Sequence, residues 1–114
     1  MRPLGSGGRT ATRGSAVSKV KVSVLYPASE GSTFDMDYYK VKHREIVERV
    51  LGPVEFSCEQ GLPGQPFMAT GHLVYESLEA MQAGMGSPSA GEAQTDLANF
   101  TNVTPQIQIG EIIT

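Results

Sequence analysis

Apart from the carboxylates, side chains suited to proton transfer near neutral pH are scarce in this sequence: two histidines and one cysteine, with four tyrosines able to donate a hydrogen bond. His43 is the sharpest of them. It falls in the middle of an apolar helical stripe with Met36, Tyr39, Ile46, Val47 and Val50, which at 100° per residue share an arc of about 100°. An imidazole on a core-facing stripe is costly unless it is hydrogen-bonded or lines a cavity. Its ordinary pKa near 6.5 suits general acid–base work. Tyr39 lies one turn earlier on the same face, where the two side chains are neighbours. A Tyr39–His43 pair opening into an apolar pocket could hold a carbonyl or hydroxyl and move a proton. The alternative is a core histidine satisfied by a backbone carbonyl or by Tyr39.

The other groups offer less. His72 alternates with Met68, Thr70 and Val74. It could join His43 if its strand face meets the helix, or it could sit at a subunit interface. The histidines have no carboxylate partner close in sequence, so no metal site is expected. Cys58 alternates with Val54 and Phe56 and reads as a small core residue. Tyr38 and Val41 fall on the side of the helix opposite His43 and read as packing or interface residues. No G-x-S-x-G, H-E-x-x-H or phosphate-loop motif occurs, and Gly5, Gly7 and Gly8 follow no strand. With no flavin, haem or nucleotide motif, no cofactor is expected.

These residues need positioning elements, and the pattern supplies them. Lys19 to Tyr26 alternates, with Val20, Val22 and Val24 on one side, and predicts a strand ended by Pro27. Ser32 or Thr33 is a suitable N-cap, with Ser32 and Asp35 at capping-box spacing. Phe34 to about Leu51 is the clearest helix, stopped by Gly52-Pro53. Val54 to Gln60 and Phe67 to Tyr75 are further strands. The second of these is apolar on both faces, so a cover is expected on each, one supplied by another subunit. Ser77 caps a helix from Leu78 to about Met85. Ser87-Pro88 restarts helix towards Phe100. Thr104 to Ile113 is a last strand, and Pro105 puts it at an edge. The order β-α-β-β-α-(α)-β predicts an α+β, ferredoxin-like fold: a four-stranded antiparallel sheet with helices on one face.

Charge narrows the function. Of 114 residues, nine are Lys or Arg and twelve are Asp or Glu, and every basic residue lies at or before Arg49. A nucleic-acid surface needs many cations, so nucleic acid is excluded as a partner of the folded part. Residues 1–17 carry three arginines, no acid and four glycines. They read as a disordered basic tail ahead of a domain over 18–114. A transit-like peptide is the other reading of that segment. Lone Cys58 excludes an intrachain disulfide and suggests a reducing, cytoplasmic compartment. No apolar run reaches the ~18–20 residues of a membrane span.

The segment FDMDYYKVKH (Phe34 to His43) followed by LGP (Leu51 to Pro53) resembles the EthD family, named for ethyl tert-butyl ether degradation. So do GHLVYESLEAM (Gly71 to Met81) and DLANFTNVTPQIQIGEI (Asp96 to Ile112). The likeness runs from about Lys19 to Ile113. It implies a dimeric α/β-barrel, two ferredoxin-like sheets packed face to face, with small apolar or aromatic compounds held between sheet and helices. The family's helix-one Tyr and His map onto Tyr39 and His43. The basic tail has no counterpart in the family pattern.

The expected function is therefore a small catabolic or accessory enzyme binding a small, apolar, oxygenated compound, in support of an oxidoreductase pathway. The pocket would be lined by Tyr39, His43, Phe56 and Phe100, with His72 a further binding residue. His43 would shuttle the proton and Tyr39 donate a hydrogen bond. The alternatives are a non-catalytic binding or delivery module, an isomerase or cyclase on the same fold, and a purely structural homodimer.

Overall fold

The structure is a computed structural model and describes residues 18–114; the tail expected over 1–17 lies outside the described residues. Alternation of β-branched and polar residues drives Val20–Pro27 into strand β1, with Val20, Val22 and Tyr26 buried on one side. Strands β2 (Glu55–Gln60), β3 (Phe67–Tyr75) and β4 (Gln106–Glu111) complete one sheet in the order β2-β3-β1-β4. Every pairing is antiparallel. This is the expected ferredoxin-like topology, and β4 is an edge strand as Pro105 foretold.

Helix α1 covers residues 36–50 in three pieces: an α-turn Met36–Tyr38, a π-helical turn Tyr39–His43 and an α-helical run Arg44–Val50. The expected Ser32 or Thr33 cap does not form. Asp35 caps instead, its carboxylate accepting the Tyr38 N–H at 3.1 Å. Ser32 is drawn into a local turn with Ser29. Gly52, at φ 63°, ends the helix in a left-handed conformation open to glycine. Helix α2 spans Leu78–Met85 with Ser77 as its cap, bonded to the Ala80 N–H at 3.0 Å. Helix α3 is Ala90–Thr95, followed by a 3₁₀ turn Asp96–Asn99. It starts later than Ser87-Pro88 suggested, because the Ser87 hydroxyl bonds to the Val50 carbonyl rather than to a helix N–H.

The helices cover one sheet face. Val20, Val22, Tyr26, Phe56, Ala69, Leu73 and Tyr75 from the sheet join Tyr39, Val47, Met81 and Phe100 in one core. The expectation of two apolar faces on β3 holds only in part. On its helix-free side Val74 is buried, but Thr70 and His72 lie between it and Met68 and are half-buried among polar neighbours.

Gly71 decides how closely α1 sits on the sheet. A Cβ at this position would collide with the Tyr39 hydroxyl and touch the Phe56 ring. Only glycine leaves room for the Tyr39 hydroxyl this close to the β3 backbone. Gly71→Ala is expected to displace Tyr39 and cost about 1–3 kcal/mol, as overpacking in a dense core does. Urea unfolding measures this; an unchanged midpoint would refute the packing argument.

Candidate functional site

Asp96 is buried at the start of the 3₁₀ turn, where an ionised carboxylate is expensive unless fully bonded. Three donors satisfy it. Tyr38 donates its hydroxyl to Oδ1 at 2.6 Å and Asn99 donates Nδ2–H to Oδ1 at 2.8 Å. His43 Nδ1 lies 2.9 Å from Oδ2. Desolvation pushes the Asp96 carboxyl pKa up, but the hydrogen bonds from Tyr38, Asn99 and His43 together hold it below the usual carboxylate value. An ionised carboxylate can only accept, so Nδ1 carries the proton of the neutral imidazole. That fixes the tautomer and leaves the Nε2 lone pair without a bonded partner among the described residues. Burial lowers the His43 pKa by more than the Asp96 bond and charge raise it, so the ring is neutral at neutral pH.

The π-helical turn makes this arrangement possible. Residues five apart on an α-helix point about 140° away from each other. In the π turn the Arg44 N–H bonds the Tyr39 carbonyl five residues back. Tyr38 and His43, also five apart, then reach the same carboxylate. The uniform 100° spacing had set Tyr38 on the opposite side from His43; the widened turn corrects that.

Aromatic rings hold the imidazole. Tyr39 stacks on it at 5.3 Å between centroids, and Phe100 packs against it at 4.5 Å. In front of it lies a cavity of about 590 Å³ between sheet and helices, a size that suits a small molecule. Its inner wall includes Tyr26, Tyr39, His43, Phe56 and Leu73; Ser87, Gln94 and Thr104 add polar groups to the lining. Burial drives the Tyr39 and Tyr26 hydroxyl pKa values well above the ordinary range, so both remain protonated.

His43, Tyr39 and Phe56 therefore meet on one cavity wall. Phe100 sits beside the imidazole and supports it rather than lining the space. His72, expected as a further binding residue, does not join them and is absent from the lining of this cavity. Strand alternation sends it to the helix-free face, opposite its β3 neighbours Gly71 and Leu73. There its Nε2–H donates to Glu59 at 3.0 Å, and Nδ1 accepts from the Ser23 hydroxyl at 3.0 Å. Thr70 donates to the same Glu59 oxygen. Both histidines thus have carboxylate partners that the sequence did not pair with them.

Asp96 and Tyr38 are the members of the His43 cluster that sequence reasoning missed. The signal for Asp96 was present: Ala93, Asp96, Leu97 and Phe100 follow the i, i+3, i+4, i+7 spacing of one helix face. A carboxylate inside that stripe faces the core and needs a donor. The π turn that recruits Tyr38 leaves no comparable mark.

No family model and no curated protein matches the chain. Solved structures do. An EthD-like protein from Ralstonia eutropha JMP134 is 33% identical, with a TM-score of 0.77 over 86% of this chain and 95% of the other. An ethyl tert-butyl ether degradation (EthD) family protein from Bacillus halodurans C-125 is 20% identical, TM-score 0.66, covering 83% and 99%. A dimeric protein of ferredoxin-like fold from Bacteroides fragilis NCTC 9343 is 13% identical, TM-score 0.55, covering 82% and 96%, and shares the fold.

The buried pair sets an acid limit on stability. His43 titrates below its ordinary 6.5 in the folded chain, so the unfolded chain binds more protons and stability falls as pH drops below about 6.5. Asp96 titrates below its ordinary 3.8, so its contribution is present above that pH and is lost as the pH falls further. Urea midpoints from pH 8 to 3 should show both limbs, and His43→Gln should remove the first. Parallel curves for the two proteins would contradict the assignment.

Proposed function

The chain belongs to the EthD-like family, and from that premise we propose that it is a small-molecule enzyme whose proton-transfer group is His43. The supporting observation is one imidazole with two different sides. Its Nδ1–H is tied to buried Asp96, and its ring forms part of an apolar cavity wall. A neutral imidazole with its tautomer fixed this way presents Nε2 as a base. It takes a proton from a weakly acidic C–H or O–H of the ligand, and the resulting imidazolium is stabilised by the Asp96 carboxylate. Returning the proton to another atom of the ligand gives isomerisation-type chemistry. Leaving it off gives a carbanion or phenolate for an oxidative step with a separate oxidant. Tyr39 steadies the ring by stacking and offers its protonated hydroxyl to the same wall.

The ligand is a small, mainly apolar oxygenated compound, as the wall composition favours. A delivery module with the same cavity is the second reading. It is favoured by the exposed mouth residues Gly91, Gln94 and Thr104, which leave an open route to and from the cavity. The free, half-buried Cys58 suits a reducing, cytoplasmic compartment. Among the described residues no helix is long and apolar enough to cross a membrane.

A homodimer formed through the helix-free sheet face is part of this proposal. Leu25 is half-buried there, on the opposite side of β1 from the core residues Val22 and Tyr26. Sedimentation at micromolar concentration should give a dimer, and Leu25→Glu should shift it towards monomer. A monomeric wild-type chain would count against the barrel.

Small ketones, ethers and phenols screened by thermal shift should identify a ligand, whose conversion is then followed. His43→Ala is expected to lower kcat by about 10²–10⁴-fold while ligand binding survives. Asp96→Asn should lower kcat with little change in KM and move the acid limb of the pH–rate profile. Unchanged turnover in His43→Ala would remove His43 from the proton transfer, whereas a ligand bound by the wild-type chain without conversion would leave the delivery reading standing.

A further inference from the structure

We infer that the cavity selects its ligand in uncharged form, with Asp96 setting that selectivity through the imidazole of His43. The inference rests on the cavity being the ligand site and adds a charge requirement to it. Among the described residues the lining holds no Lys, Arg, Asp or Glu; its ionisable groups are Tyr26, Tyr39 and His43. The Asp96 carboxylate lies 2.9 Å from Nδ1, on the far side of the ring that faces the cavity. A ligand group on Nε2 therefore sits one imidazole away from a buried negative charge.

No described Lys or Arg lines the cavity to offset a second one. Arg44 is bonded to Glu48 at 3.2 Å, and Arg49 to Glu45 at 3.0 Å and Glu92 at 2.7 Å. Lys40 pairs with Asp37 at 3.5 Å. All of these pairs are on the exposed side of α1 or between it and α3. Lys21 belongs to the other sheet face, and no Lys or Arg follows Arg49.

An anion entering the cavity loses its water and meets the field of Asp96 through apolar surroundings, where charges are weakly screened. It can be held only by taking up a proton, on itself or on His43. In the second case one imidazolium lies between two anions, which still leaves a net negative charge. A neutral weak acid fits without that uptake: its O–H or C–H donates to Nε2, and its body meets the apolar wall. Carboxylates, phosphates and thioesters of acidic carriers are excluded on the same ground when the charged group must enter.

Two probes of one shape test this. 4-tert-Butylphenol stays neutral at pH 7.5, as a tyrosine side chain does with its pKa of about 10, whereas 4-tert-butylbenzoate is ionised. Isothermal titration of the wild-type chain should give at least about tenfold tighter binding of the phenol. Residual benzoate binding should weaken steadily between pH 6.5 and 8.5, reporting the proton uptake, while phenol binding stays level. Asp96→Asn should narrow the ratio; if that variant does not fold, the wild-type pH dependence decides. Benzoate within threefold of the phenol at pH 7.5, with no pH dependence, would overturn the charge requirement and leave the cavity reading intact. Binding of neither probe would overturn the cavity reading and this inference together.

Discussion

A buried carboxylate with three donors is the constraint on which the rest of this structure depends. Asp96 has left water, and an ionised group in that position is tolerated only because Tyr38, Asn99 and His43 all bond to it. Two of those donors come from α1 and one from the turn that contains Asp96. The same bonds therefore join the first helix to the second half of the chain and orient the imidazole. Removing any donor leaves a buried charge short of partners, so structural and chemical roles coincide in one cluster.

The site depends equally on two departures from regular geometry. The π-helical turn lets residues five apart share one partner. Gly71 removes a Cβ from the middle of β3 so that Tyr39 can lie against the sheet. Both are local irregularities within otherwise ordinary elements. The turn aims His43, and the glycine sets the depth at which Tyr39 stacks on it. With Phe100 at the side, the imidazole is held by rings and by one hydrogen bond, while the cavity lies before it.

The two histidines show how strictly a pleated sheet sorts chemistry. His72 and Gly71 are adjacent in sequence, yet they serve opposite faces of β3. His72 is caught in a polar line with Ser23, Glu59 and Thr70, on the side without helices. The apolar cavity and the polar helix-free face are thus kept apart by the thickness of one sheet. The cations are sorted as well: those on α1 with an acidic partner meet it on the protein surface, away from the cavity.

The order of elements was legible because it rests on local patterns. Alternating valines in β1, the apolar stripe of α1, the Ser77 cap and Pro105 beside an edge strand each act within a few residues. His43, Tyr39 and Phe56 stood out for the same reason, since their faces follow from helical and strand periods. The EthD resemblance in Phe34 to His43 and Asp96 to Ile112 also survived comparison with a solved relative. The partner of His43 was another matter, although Asp96 sat at a core-facing position in its own stripe. Its bond to His43 spans 53 residues, and that to Tyr38 spans 58. Periodicity assigns a side chain to a face but does not say what meets that face. It also assumes a constant angle per residue, which the π turn breaks. Sequence alone thus determined which elements form and which way most side chains point. Tertiary structure alone decided which buried polar groups meet, because that depends on how faces distant in the chain are brought together.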